Sequence, residues 1–150
     1  MRFVIQRVSQ ASVESNNTIA GKIGKGFLVF IGISNEDTKE IADVLINKML
    51  KLRIFNDENG KMNLSLKDVN GEVLLVSQFT LYANCKRGNR PEFLNAAKPN
   101  YANQLYEYIV EKCKQEIEVQ TGIFREDMKV KLLNDGPVTI IMDSDEIIKG

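Results

Sequence analysis

Gly71-Glu-Val-Leu-Leu-Val-Ser-Gln-Phe-Thr-Leu-Tyr-Ala83 decides how the rest of the chain is read. The run is apolar from Val73 and then takes in Ser77, Gln78 and Thr80 without losing Phe79, Leu81 or Tyr82, so it predicts a strand buried on both faces. Alternation places Ser77 and Phe79 on one face, and Gln78 and Thr80 on the other with Val76 and Tyr82. For a single Ser or Thr the ordinary explanation is a core polar group bonded to a neighbouring loop. Three polar residues within four point instead to the floor of a binding site, because each unpaired buried polar group costs roughly 1 to 3 kcal/mol.

Composition bounds what surrounds this strand. At 150 residues and 17.0 kDa, with 43% hydrophobic residues, the chain is expected to form one domain, residues 1–150, with a substantial core. Twenty basic and twenty acidic residues cancel, so no global field draws in a polyanion and any nucleic-acid contact must be local. No segment has the length of a signal peptide or membrane span, and Cys85 and Cys113 are too far apart in sequence for a CxxC pair or zinc knuckle. Both features predict a cytoplasmic protein with reduced thiols and no membrane partner. The chain has no histidine. That removes Ser-His-Asp and Cys-His catalysis and His-based zinc sites; no residue group reads as a metal site, and no cofactor is implied.

Upstream of the central strand, the pattern predicts strands at Arg2 to Val8, Ala11 to Glu14, Ile19 to Ile23 and Phe27 to Ile33, with a polar turn at Ser15-Asn16-Asn17-Thr18. Gly21, Gly24 and Gly26 lack the spacing of a phosphate loop and read as a glycine-rich turn. Asp37-Thr38-Lys39-Glu40 has the form of a capping box opening a helix from about Thr38 to Leu52. Arg53 to Phe55 reads as a short strand, and Asn56 to Gly60 as a turn without the ligand ladder of a calcium loop.

Downstream, Asn84-Cys-Lys-Arg-Gly-Asn-Arg-Pro91 is the densest positive segment. Lys86, Arg87 and Arg90 either hold phosphate at the mouth of the site or form a plain solvated loop. A second helix is predicted from Pro99 to about Val119, with Tyr101, Leu105, Tyr108, Ile109 and Cys113 on its packed face. Met128 to Leu133 and Val138 to Met142 predict a hairpin around Asn134-Asp135-Gly136-Pro137, an ordinary turn in which the Gly-Pro bond can be cis. Asp143 to Gly150 reads as a loose acidic tail.

Taken together, Arg2-Phe3-Val4-Ile5-Gln6-Arg7-Val8, Leu52-Arg53-Ile54-Phe55 with Gly60-Lys61-Met62-Asn63, Ser77-Gln78-Phe79-Thr80-Leu81 and Asn134-Asp135-Gly136-Pro137-Val138-Thr139 resemble the D-aminoacyl-tRNA deacylase family nearly end to end. The resemblance implies an α/β fold of the α+β type: a curved, barrel-like, mostly antiparallel sheet with two main helices packed on it, assembled as a homodimer. It implies hydrolysis of the ester of mischarged D-aminoacyl-tRNA and of glycyl-tRNA, with tRNA as the macromolecular partner. It also implies a cis Gly136-Pro137 dipeptide that projects from one subunit into the pocket of the other and rejects L-amino acids. One departure stands out. The family usually has Thr-Gly-x-Phe-Gly-Ala where this chain has Thr121-Gly122-Ile123-Phe124-Arg125-Glu126, so Phe124 matches as a lining residue for the terminal adenosine while Arg125 and Glu126 are bulkier and charged.

An aminoacyl ester is already activated and its ribose carries a vicinal hydroxyl, so positioning and oxyanion stabilisation suffice without a strong side-chain base. On this reading backbone amides near Phe79 and Thr80 hold the carbonyl oxygen, and Thr80 positions substrate or water. Ser77 and Gln78 shape the adenosine and ester region, while Lys86, Arg87 and Arg90 contact the tRNA backbone. The alternative class is a non-catalytic nucleic-acid-binding protein.

Overall fold

In the computed structural model, which describes residues 1–149, the opening strand β1 (Arg2–Ser15) is continuous where the sequence suggested two runs. Ser9 and Gln10 do not break it; they lie where β1 changes neighbours. Over Arg2 to Val8 it pairs antiparallel with β3 (Gly26–Gly32), and over Ala11 to Ser15 with β2 (Thr18–Ile23). The β1–β2 turn is made by Asn16 and Asn17, both at positive φ, where a two-residue hairpin favours Asn.

Three helices and five further strands complete the chain: α1 (Lys39–Lys51), β4 (Phe55–Asn56), β5 (Met62–Leu64), β6 (Glu72–Ser77), α2 (Pro99–Lys114), β7 (Glu118–Thr121), β8 (Lys129–Asp143) and α3 (Ser144–Lys149). The main sheet runs β2-β1-β3-β6-β7, with β8 also pairing along β1. All pairs of β1 are antiparallel, whereas β3–β6 and β6–β7 are parallel. The sheet curls until its ends nearly meet: a Cβ placed on Gly21 of β2 would lie 2.6 Å from the Thr121 carbonyl oxygen of β7, so only glycine lets the two backbones approach.

Burial on both faces explains the unbroken apolar runs of β3 and β6. Phe27, Val29, Ile31, Val73 and Leu75 pack toward α1 and α2 with Phe3 and Ile5, while Leu28, Leu74 and Val76 meet Val8, Ala11, Val13 and Ile23 on the other face. Each such side chain contributes about 1.5 to 3 kcal/mol by leaving water. Phe55 of the small β4–β5 hairpin stacks on Phe27 at 5.3 Å; pairing with Leu64 and Met62 sets this strand at Phe55 and Asn56, so of the expected Arg53 to Phe55 only Phe55 belongs to it.

Several sequence expectations are corrected. The central strand does not run to Ala83: β6 ends at Ser77, and Phe79–Tyr82 is a 3-10 turn. Its parallel ladder with β7 closes at Leu75 and that with β3 at Ser77, after which the Gln78 N–H donates to the Ile31 carbonyl (2.8 Å) and the chain coils back over Gly32. The predicted alternation of Gln78 and Thr80 across a strand is therefore lost. Helix α1 is capped by Thr38, whose hydroxyl accepts from the Ile41 N–H, and not by an Asp37–Glu40 box.

Helix α2 stops at Lys114 because the Glu116 and Ile117 amides turn back onto the Cys113 carbonyl; Val119 belongs to β7, opposite Val73. Its packed face is Ala102, Leu105, Tyr106, Ile109, Val110 and Cys113; Leu105, Ile109 and Cys113 lie there as predicted, whereas Tyr101 is exposed and Tyr108 half-buried, their places taken by Ala102, Tyr106 and Val110. No hairpin forms at Asn134 to Pro137. Both flanks continue as one strand, β8, along β1, with Thr139 opposite Gln6 and Asn134 opposite Val8, and the intervening residues bulge outward.

The expected loose tail is helix α3 up to Lys149; Gly150 lies outside the described residues. Its first residue is anchored at the start of the chain. The Met1 α-ammonium donates to Asp37 Oδ1 and Ser144 Oγ, both at 2.7 Å, and the Ser144 N–H donates to the Met1 carbonyl. Met1, Asp37 and Ser144 are all buried. This ties β1, the α1 entrance and α3 into one polar knot inside the fold. Removing its carboxylate leaves a buried ammonium without its counter-charge, so Asp37→Ala is expected to cost about 3 to 5 kcal/mol in urea unfolding. A loss below about 1 kcal/mol would show that water replaces the pair.

Candidate active site

The residues after β6 build one wall of a cleft of about 620 Å³. Ser77, Gln78, Phe79 and Thr80 line it from the strand end and the 3-10 turn; Phe93, Ala96, Ala97 and the start of α2 face them; Phe124, Arg125, Glu126 and Met128 close the third side. A groove of about 630 Å³ between α1 and α2 has a mixed, solvated charge lining that includes Asp43, Lys51, Lys112 and Glu116, and it contains none of the sequence-predicted site residues.

The main chain defines the polar character of the cleft wall. In the 3-10 turn the first internal bond is from the Leu81 N–H to the Gln78 carbonyl, followed by Ala83 to Thr80. The Phe79 and Thr80 amides precede that bond and find no backbone acceptor among the described residues, as expected at the start of a helical turn. Gln78 Nε2 donates to Thr80 Oγ1 at 2.9 Å, which occupies the hydroxyl as acceptor and leaves its own proton free to donate. Phe79, 56% exposed, is held edge-on by Phe93 with ring centroids 5.0 Å apart, giving the cleft an aromatic lip.

The loop carrying Phe124 is fixed to the same strand. The Leu75 carbonyl accepts both the Gly122 N–H (3.2 Å) and the Tyr106 hydroxyl (2.7 Å), and the Tyr106 ring lies 6.0 Å from Phe124. Burial pushes the Tyr106 hydroxyl pKa well above its ordinary value, so it stays a neutral donor. A Cβ on Gly122 would meet Met128 Sδ at 2.6 Å, so the loop is packed tightly at both ends.

Two groups of predicted residues lie elsewhere on the chain. Gly136 and Pro137, joined by a cis bond, sit exposed on the β8 bulge and are not among the cleft-lining residues. Lys86, Arg87 and Arg90 occupy an exposed loop closed by reciprocal Asn84 and Glu92 backbone bonds, with Gly88 at positive φ near its tip. This loop runs from the 3-10 turn to Phe93, so its stem flanks the cleft although its cations do not line it.

Sequence reading missed the device that holds the bulge. Arg7, 6% exposed, donates through Nε to the Asp135 carbonyl (2.9 Å) and through an Nη to the Ile54 carbonyl (2.6 Å), tying the bulge to the β4 region. Asn134 completes it, accepting from the Val138 N–H at 3.1 Å while its amide donates to Gln6 Oε1 at 2.9 Å. A signal was present: Arg7 continues the buried alternation of Phe3 and Ile5, a place for charge only if its donors are satisfied internally. Tyr106 and Phe93 carried no comparable mark.

A family model described as D-Tyr-tRNA(Tyr) deacylase matches residues 4–143. A protein of Thermosipho melanesiensis named D-aminoacyl-tRNA deacylase is 54% identical over 149 residues, covering 98% of this chain and 99% of that protein. A Flavobacterium johnsoniae protein of the same name is 54% identical over 146 residues, covering 96% and 97%. Among solved structures, one named c-Myc DNA Unwinding Element Binding Protein superimposes with a TM-score of 0.90 at 38% identity, covering 95% of this chain and 98% of that one. A structure described as that of a probable eukaryotic D-amino acid tRNA deacylase gives 0.80 at 17% identity, covering 94% and 97%; at that identity it shows the shared fold.

The bulge geometry yields a prediction independent of activity. Gly136 has φ of 138°, and a Cβ there would lie 2.6 Å from Val138 Cγ2, 2.9 Å from the Val138 nitrogen and 3.2 Å from Arg7 Nη2. Gly136→Ala is expected to displace residues 135–138, to disturb the Arg7 bonds and to lower stability by about 1 to 3 kcal/mol. A crystal structure of the variant with Arg7 and the bulge unmoved would contradict this.

Proposed function

The chain belongs to the D-Tyr-tRNA(Tyr) deacylase family, an enzyme family acting on the aminoacyl-tRNA ester bond, and from that premise we propose how its own residues carry out the reaction. The substrate is D-aminoacyl-tRNA, and the products are free D-amino acid and tRNA. The observation that carries the reading is the pair of amides without a backbone acceptor, Phe79 and Thr80, beside a threonine hydroxyl whose proton is free to donate, in an aromatic-lipped cleft. Such a site suits a reactive ester, because it supplies an anion hole and orientation but no strong base.

The terminal adenosine lies against Phe124 and the Phe79–Phe93 lip, and the ester carbonyl oxygen points at the two amides. Water attacks the carbonyl carbon, the developing oxyanion is held by the amides, and the vicinal ribose hydroxyl relays the water proton to the departing ribose oxygen as the acyl–oxygen bond breaks. Thr80 orients the ester or the water and is not the nucleophile. Ser77 and Gln78 shape the floor, and Lys86, Arg87 and Arg90 meet tRNA phosphates beyond the cleft.

Chiral selection follows from acceptance of glycine: a filter that passes glycine and D-amino acids excludes whatever projects in the L direction. Gly136-Pro137 suits such a wall, because glycine allows close approach and proline fixes the direction of the chain. Since it lies apart from the cleft of its own subunit, the wall is assigned to the second subunit of a homodimer. Support for dimerisation comes from β8, a fifteen-residue strand that among the described residues pairs only with β1 and leaves Leu132, Leu133 and Ile141 exposed, a long apolar edge of the kind that proteins ordinarily cover.

A second reading, nucleic-acid binding without hydrolysis, draws on the name of the 38% identical structure and on the exposed basic loop. Hydrolysis assays on homogeneous protein separate the two. D-tyrosyl-tRNA and glycyl-tRNA are expected to be cleaved, with L-tyrosyl-tRNA slower by at least about 100-fold, a ratio in the range that steric exclusion supplies. Thr80→Val is expected to lose about 10- to 100-fold in rate, as for a positioning group. No D-selective hydrolysis, or an acyl-enzyme trapped on Thr80, would overturn the mechanism.

A further inference from the structure

Arg125 stands at the rim of the cleft in a backbone conformation that arginine rarely adopts. Its φ is 66°, in the left-handed region that glycine enters without steric cost, and it closes a turn in which the Glu126 N–H donates to the Ile123 carbonyl (3.3 Å). The loop cannot relax to relieve it, since Gly122 is packed on Met128, the Gly122 amide is bonded to Leu75, and Phe124 rests on Tyr106. Arg125 lines the cleft, is exposed, and forms no ion pair among the described residues. If the position only had to make a turn, glycine would make it more stably. Strain held at a ligand-binding rim is a sign of function.

The charges around it define the ligand. Arg125 and Lys98 are the two cations lining the cleft, with Glu126 the one acid. Adjacent Cα atoms are about 3.8 Å apart, so the Arg125 guanidinium works within one nucleotide of a base held against Phe124. A planar, permanently charged fork beside a stacked nucleoside matches a phosphate oxygen pair. We propose that Arg125 binds the phosphate on the 5′ side of the ester-bearing terminal nucleoside, strengthening capture of the tRNA end at the expense of fold stability. This rests on the deacylase reading above, and it adds a binding contact made by this chain's own residue.

The test compares wild type, Arg125→Gly, Arg125→Ala and Arg125→Lys on three esters: D-tyrosyl-tRNA, 3′-O-D-tyrosyl-adenosine 5′-phosphate, and 3′-O-D-tyrosyl-adenosine. Arg125→Gly removes both the cation and the strain. It is expected to raise the melting temperature by about 2 to 4 °C, to lower kcat/KM about 10-fold on the two phosphate-bearing esters through KM, and to leave the phosphate-free ester within about twofold. The slope of log kcat/KM against log salt on tRNA should shrink by about one unit. Arg125→Ala should show the same binding loss without the thermal gain, and Arg125→Lys should recover part of the affinity. Unchanged KM on both phosphate-bearing esters with an active wild type, or an equal loss on all three, would overturn the assignment of Arg125. A wild type inactive on every ester would instead overturn the deacylase reading.

Discussion

A strand buried on both faces can satisfy its backbone only through neighbouring strands, and β6 loses both neighbours within three residues. Its ladder to β7 closes at Leu75 and that to β3 at Ser77. From there the chain cannot continue as a strand without leaving amides and carbonyls unpaired in the sheet, so it coils into the Phe79–Tyr82 turn. Everything in the site follows from that ending. The turn leaves its first two amides without a backbone acceptor among the described residues, and the Leu75 carbonyl, at the last rung to β7, takes both the Gly122 N–H and the Tyr106 hydroxyl, bringing the Phe124 loop to face the turn. One strand end therefore supplies the proposed anion hole, its threonine and the anchor for the opposite wall.

The same economy explains how a protein without histidine performs hydrolysis. An anion-hole donor contributes about 2.7 to 4 kcal/mol to a transition state when it is fixed before the reaction begins, so two rigid amides in the proposed role would supply much of what an already activated ester requires. On the proposed mechanism the proton traffic is left to the substrate's own ribose. Rigidity is then the property to be protected, and the structure protects it with Arg7, a buried guanidinium that holds the β8 bulge by main-chain carbonyls, and with the Met1–Asp37–Ser144 knot behind β1.

The apolar runs at Phe27 to Ile33 and Val73 to Val76 announce doubly buried strands, and the helical period at Ile41 to Leu52 announces α1, because burial imposes its own period on sequence. Boundaries set by tertiary pairing are not legible in this way. Nothing local in Gln78-Phe79-Thr80 records that β3 and β7 have ended, so the residue pattern alone carries the strand on into the turn. Asn134-Asp135-Gly136-Pro137 has hairpin chemistry, yet the residues on both sides prefer β1, whose length of fourteen residues accommodates them as one bulged strand. The clustered polar residues Ser77, Gln78 and Thr80 do line the cleft, but not as buried groups: Ser77 and Gln78 are half-buried and Thr80 is exposed, because the strand ends before the burial that its apolar run promised. The contribution of Arg7 is hidden because its partners are carbonyls, which every residue has.

On the proposed mechanism the two amides after β6 receive the ester carbonyl while the Gly136-Pro137 wall arrives from a second subunit. A crystal structure with the amide-linked analogue 3′-D-tyrosylamino-3′-deoxyadenosine tests both at once. The expected result is its carbonyl oxygen about 3 Å from the Phe79 and Thr80 nitrogens, its base against Phe124, and the other subunit's Gly136-Pro137 against its Cα. An analogue bound with its carbonyl away from both amides, or wholly within one subunit, would contradict it.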